Sequence, residues 1–198
     1  METIIMGNRQ IQEITSNELM QIASIEHFHI GNFMEFVAKE YNAFIRYSIG
    51  YKQDLFMLHY SDNYSVTNER RREKITVKTV RYLLDQGFNL PLPALNAKPF
   101  VMGSRDIRTM SQEELICLAR MEGAIGGNTH DITFEKSEER DQVLILKYKK
   151  GSSKEIWSFK FDSSILLWAW GSTWGGYPPK YIGMNSINYL LEQNFKVW

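Results

Sequence analysis

One cysteine among 198 residues leaves Cys117 without an intramolecular disulfide partner, which excludes a disulfide-stapled secreted scaffold. Charge excess is absent as well, since 23 Lys and Arg balance 23 Asp and Glu. The balance holds in each half, with 10 basic against 11 acidic side chains over residues 1–96 and 13 against 12 over 97–198. A protein dedicated to duplex nucleic acid replaces phosphate counterions with a basic surplus, and none is present here. There is no uninterrupted run of about 20 apolar residues, as a membrane-spanning helix requires, and 43% hydrophobic content excludes a disordered chain. The start METIIMGNRQ has no charged-then-apolar signal pattern, so the expected compartment is the cytoplasm. The sequon Asn63-Tyr64-Ser65 then reads as a chance match.

Catalytic signatures are also missing. No HExxH, CxxC, DxDxDG, GxSxG, Walker or GxGxxG pattern occurs, so no metal, cofactor or nucleophilic site is expected. His27-Phe28-His29 offers two imidazoles without further ligands. His59 sits in an apolar run and reads as a packing residue. In Gly126-Gly127-Asn128-Thr129-His130-Asp131, His beside Asp would suit proton transfer, yet Gly-Gly-Asn before a strand is ordinary turn chemistry.

What is present is an internal duplication. Residues 6–26 align without a gap on residues 102–122, sharing Met6/Met102, Gly7/Gly103, Arg9/Arg105, Ile11/Ile107, Glu18/Glu114, Leu19/Leu115, Ala23/Ala119 and Glu26/Glu122. Eight identities in 21 positions exceed the roughly one or two expected by chance. A second match sets Val80–Leu90 on Ile187–Val197 and keeps Tyr82/Tyr189, Leu83/Leu190, Leu84/Leu191, Gln86/Gln193 and Phe88/Phe195. Asp54–Tyr60 lies on Glu155–Phe161 by pattern at an offset of 101.

Each copy reads as a β-α-β-β-β-α module. The first helix opens on Thr15-x-x-Glu18 or Ser111-x-x-Glu114, capping boxes that satisfy free N–H groups of the first turn. Three β-type runs follow: Phe33–Lys39, Ala43–Ile49 and Leu55–Tyr60, then Ile132–Lys136, Gln142–Tyr148 and Ile156–Phe161. Tyr51-Lys52-Gln53 and Gly151-Ser152-Ser153 fit hairpin turns. A second helix is expected over Arg70–Gln86 and Met184–Gln193, ending at Gly87 or Asn194, which tolerate a left-handed cap. Trp157, Phe159 and Phe161 alternate with Ser158 and Lys160, the mark of a sheet covered on one face. Three prolines in 89–99 stop the helix and place the boundary near residue 96. The expected fold is α+β, with antiparallel meander sheets each packed by two helices and modules at 1–96 and 97–198, the second holding an aromatic insertion at about 163–180.

The copies diverge at two places suited to contact. Arg70, Arg71, Arg72 and Lys74 put positive charge at an expected helix start, where the dipole disfavours it, and could grip phosphate or an acidic surface. Trp168, Trp170, Trp174 and Tyr177 place large rings beside small residues, which suits binding and equally suits a core cluster. The expected function is therefore non-catalytic binding of another protein, as in an inhibitor or accessory protein of a mobile element. The alternatives are a nucleotide-like small ligand in an aromatic pocket between the copies, and single-stranded nucleic acid. Strands that are apolar on both faces also permit a homodimer.

Overall fold

The computed structural model describes residues 3–4, 6–60, 64–68, 71–92, 100–101, 103–137, 142–161, 166–172 and 175–198. The chain divides into two compact units, Met1–Val101 and Met102–Trp198. Both are α+β, and they are similar sheet-and-helix halves, consistent with a duplicated sequence.

In the first unit β1 (Thr3–Ile4) pairs antiparallel with β7 (Phe100–Val101). A 3₁₀ turn over Ile11–Glu13 leads to α1 (Ser16–Ile25), then to β2 (Asn32–Ala38), β3 (Asn42–Ile49), β4 (Lys52–His59), β5 (Ser65–Thr67) and β6 (Arg72–Lys74). These five strands form an antiparallel meander in that order, followed by α2 (Val77–Asp85). Ala43, Ile45 and Tyr47 of β3 and Phe56 and Leu58 of β4 are buried on one face, as are Leu19, Ile22 and Ala23 of α1.

The second unit repeats the plan. After a 3₁₀ turn over Ile107–Thr109 come α3 (Gln112–Met121), β8 (Thr129–Lys136), β9 (Val143–Lys150), β10 (Ser153–Phe161), β11 (Leu166–Ser172), β12 (Gly175–Gly176), β13 (Lys180–Tyr181) and α4 (Met184–Glu192). The sheet order is β12-β11-β10-β9-β8, with β13 also on β11, so described parts of the aromatic insertion extend the sheet.

Two local expectations change. The first hairpin turns at Gly50-Tyr51, one residue earlier than read, because Gly50 adopts φ +61°. The basic run does not start a helix: Arg72–Lys74 is a strand pairing Thr67↔Arg72 and Ser65↔Lys74, and α2 begins at Val77 behind the cap Thr76.

The residues shared by the copies perform the same internal tasks in both. Arg9 donates to Glu18 at 2.6 and 3.0 Å and to the Gln86 carbonyl at 3.0 Å, and lies 4.1 Å above the Phe88 ring. Arg105 repeats this on Glu114 at 2.7 and 3.0 Å, on the Gln193 carbonyl at 3.2 Å and on Phe195 at 4.1 Å. The paired guanidinium holds Glu18 and Glu114 below the usual carboxylate range. Each carboxylate also closes its predicted capping box with Thr15 or Ser111. Gly7 and Gly103 permit the chain to pass there: a Cβ would stand 1.6 Å from the Gly87 carbonyl oxygen in one and 2.2 Å from that of Asn194 in the other.

Glu26 and Glu122 do over a long range what a capping box does locally. Glu26, buried just past α1, accepts from the Thr76 N–H at 2.7 Å, the Thr76 hydroxyl at 3.0 Å and the Thr79 hydroxyl, all in the first turn of α2. Glu122 accepts from the Gly183 N–H at 2.7 Å and the Ser186 hydroxyl at 2.6 Å at the start of α4. A carboxylate on one helix end thus neutralises orphan donors and the positive dipole end of the next helix.

Candidate functional site

The two sequence-predicted clusters belong to different units, and the fold uses several of their members. Arg70 and Trp174 lie outside the described residues. The Arg71 guanidinium stacks 4.0 Å over Phe28 and donates to the Glu26 carbonyl at 3.0 Å, with Glu73 at 3.5 Å. It therefore serves the carbonyl end of α1, where a cation is electrostatically favoured. Arg72 contacts the Ser65 hydroxyl at 3.4 Å and, after burial, is the second cause that lowers the His59 pKa. Lys74 is half-buried, two residues along the same strand.

In the second unit Trp168 and Trp170 pair in register with Phe159 and Trp157, so all four rings project from the helix-covered face. Trp168 packs on buried Trp157 at 6.3 Å and donates from Nε1 to Glu122 at 2.9 Å, which ties it to the brace at α4. Trp170 stacks on Tyr177 at 4.6 Å with planes 3° apart, and the outer ring, Tyr177, is 56% exposed. Lys150 stands 6.0 Å from the Trp170 ring and Lys180 5.7 Å from that of Trp168. Trp168 is thus half-buried and tied to the fold's own frame, while the Trp170–Tyr177 stack reaches solvent.

Asp131 pairs with Lys149 at 2.6 Å, which lowers its pKa, and it sits at a bulge with φ +52° beside exposed His130. His27 takes φ +59° at the end of α1 in the place where Gly123 follows α3, a capping role. No three His, Cys, Asp or Glu side chains among the described residues converge as metal ligands.

A surface that sequence reading passed over is the face of the second sheet opposite its helices. Strand register places Ile145, Lys147 and Lys149 of β9, Lys154, Ile156, Ser158 and Lys160 of β10 and Leu167 and Ala169 of β11 on it. Ile156 is 47% exposed although β10 is an inner strand, and Ile145, Leu167 and Ala169 are half-buried around it. Four lysines surround this apolar strip, against two carboxylates: Glu135 holds Lys147 at 2.7 Å and Asp131 holds Lys149. Lys154 and Lys160 are exposed and make no ion pair among the described residues. Near the β9–β10 turn lies a hollow of about 350 Å³ walled by Asp131, Lys147, Tyr148, Lys149, Lys154, Glu155, Ile156 and Ser172. The alternation in VLILKYKK and SKEIWSFKF pointed to this face; only strand register shows that the lysines of different strands gather on it.

No protein-family model, curated protein or solved structure matches the chain.

Proposed function

We propose that the chain is a non-catalytic binding protein, acting in the cytoplasm, whose partner is another protein with an acidic surface. The contact is the lysine-edged face of β9, β10 and β11. The observation that carries this reading is exposed Ile156 on an inner strand, with apolar neighbours and Lys147, Lys149, Lys154 and Lys160 around it. Apolar centres with charged rims are the anatomy of protein interfaces: the centre supplies desolvation, and the rim steers encounter and selects the partner's charge. An inhibitor or accessory role fits a protein whose repeated side chains are spent on its own frame.

The test is quantitative capture from the cells of origin with the purified wild type, with Ile156→Asp and with Lys154→Glu/Lys160→Glu. An acidic protein held in stoichiometric amount by the wild type, resistant to nuclease and lost in both variants, supports the reading. Equal capture by all three forms defeats it.

A second reading rests on the parallel Trp170–Tyr177 stack beside Lys150, a geometry that suits a nucleobase. In that case Tyr177→Ala, and not Ile156→Asp, removes the bound material, and the material is nuclease-sensitive.

A further inference from the structure

We infer that the first unit carries a binding cleft for an uncharged saccharide. The cleft, about 600 Å³ in volume, opens where four segments meet: the 3₁₀ turn with Gln10, Ile11 and Gln12, the β2–β3 loop with Glu40 and Tyr41, Tyr60 and Tyr64 on either side of the β4–β5 connection, and Asn89, Leu90 and Pro91 after α2. Hydrogen bonds, most of them between backbone groups, hold these segments together. Arg9 receives the Asn89 N–H at 2.8 Å and donates to Gly87 at 3.0 Å, the Tyr60 N–H reaches the Tyr41 carbonyl at 3.0 Å, and Gln12 Nε2 reaches the Glu40 carbonyl at 3.3 Å.

Its chemistry is aromatic below and amide above. Ile11, Tyr60, Tyr64 and Leu90 are buried and form an apolar floor, while the side chains of Gln10, Gln12 and Asn89 are exposed at the rim. The Tyr60 hydroxyl is used, donating to the Lys39 carbonyl at 2.5 Å. The Tyr64 hydroxyl has no hydrogen bond among the described residues, although its side chain is only 4% exposed, and burial pushes its pKa up to about 12. Tyr64 lines the cleft, and its phenol stays protonated at neutral pH.

Among the described residues the lining contains no Lys, Arg or His, and its one charge is Glu40. Phosphorylated and carboxylated ligands therefore find no counterion among them. A sugar presents apolar C–H faces that lie on an exposed phenol such as Tyr41, which is 59% exposed at the cleft, and hydroxyls that both donate and accept, as side-chain amides do. The second copy lacks this set. Where the first has Gln10, Gln12, Asn89 and Tyr60 it has Asp106, Arg108, Lys196 and Phe161, and Asp106 and Arg108 are paired with each other. The amides are a feature of the first unit, independent of the sheet face proposed above.

Titration of the ¹⁵N-labelled full chain tests the inference, with glucose, galactose, N-acetylglucosamine, maltose, cellobiose and chitobiose as probes and glucose 6-phosphate and adenosine as controls. The expected result is saturable amide shifts at Ile11, Gln12, Tyr41 and Asn89 with at least one neutral sugar, at a Kd on the order of 1 mM. Tyr64→Phe, which keeps the ring and removes only the hydroxyl, should weaken that binding about tenfold, as loss of one ligand hydrogen bond does. The exposed Asn89→Ala should also weaken it. No saturable shift with any neutral sugar, tighter binding of glucose 6-phosphate or adenosine, or unchanged affinity in both variants would overturn the inference.

Discussion

Replacing Glu26 by alanine removes the acceptor shared by the Thr76 N–H and the hydroxyls of Thr76 and Thr79. Both threonines are buried, Thr79 completely, so water does not take over. The hydroxyls can rotate toward helix carbonyls and lose about 1 kcal/mol each, whereas the fixed N–H loses about 1–3 kcal/mol. Together Glu26→Ala should cost about 3–5 kcal/mol. Glutamine retains the accepting oxygen and should cost less than about 1 kcal/mol. Burial outweighs the three donors and raises the Glu26 pKa in the folded state. A raised carboxyl contributes fully below its unfolded value, near pH 4.3, and loses that contribution as pH rises through the folded value. The advantage of wild type over Glu26→Gln should therefore shrink from about pH 4 toward neutrality. Hydrogen exchange of α2 amides, corrected for intrinsic rates, reads the opening free energy of this unit in all three proteins. A glutamine variant as unstable as the alanine variant, or a wild-type advantage that grows with pH, would refute the argument.

Gly7→Ala puts a Cβ 1.6 Å from the Gly87 carbonyl oxygen and should destabilise the first unit by about 3 kcal/mol or more, measured by the same exchange. His27→Gly relieves a side chain held at φ +59° and should stabilise by about 0.5–1 kcal/mol in urea unfolding; a loss would show that His27 has a contact worth more than the strain. Glu18 and Glu114 have lowered pKa values, so their pairs with Arg9 and Arg105 stabilise above the unfolded carboxyl value and fail as pH falls through the folded values. Arg9→Met/Arg105→Met should accordingly flatten the acid limb of stability against pH, and an unchanged limb would deny those pairs their role. Ile156→Asp should leave stability within about 0.5 kcal/mol, because the side chain is 47% exposed, while abolishing partner capture.

The frame was legible because its causes are local and occur twice. Thr15-x-x-Glu18 and Ser111-x-x-Glu114 announce helices from four residues each, and Gly87 and Asn194 end the later ones at φ +78° and +63°. The start of α2 was not legible for a physical reason. Its cap Thr76 has no carboxylate three residues on, since Glu26, fifty positions earlier, supplies it, so in the sequence alone the nearest charged run, Arg70–Lys74, reads as the helix start. The same distance effect hid the use of Trp168: only the folded chain brings Glu122 to its indole nitrogen. The lysine-edged face was half legible. Alternation in β10 separates Lys154, Ile156 and Lys160 from Glu155, Trp157 and Phe159, whereas their gathering with Lys147 and Lys149 depends on register across strands.

The central claim, that the outward face of β9–β11 is the binding surface, is tested most directly by lysine acetylation footprinting of the protein alone and saturated with its captured partner. The account predicts that Lys147, Lys149, Lys154 and Lys160 lose reactivity in the complex while exposed Lys52 and Lys78 of the first unit keep theirs. Unchanged reactivity at Lys154 and Lys160, with protection instead at Lys150 and Lys180 beside the tryptophans, would contradict it.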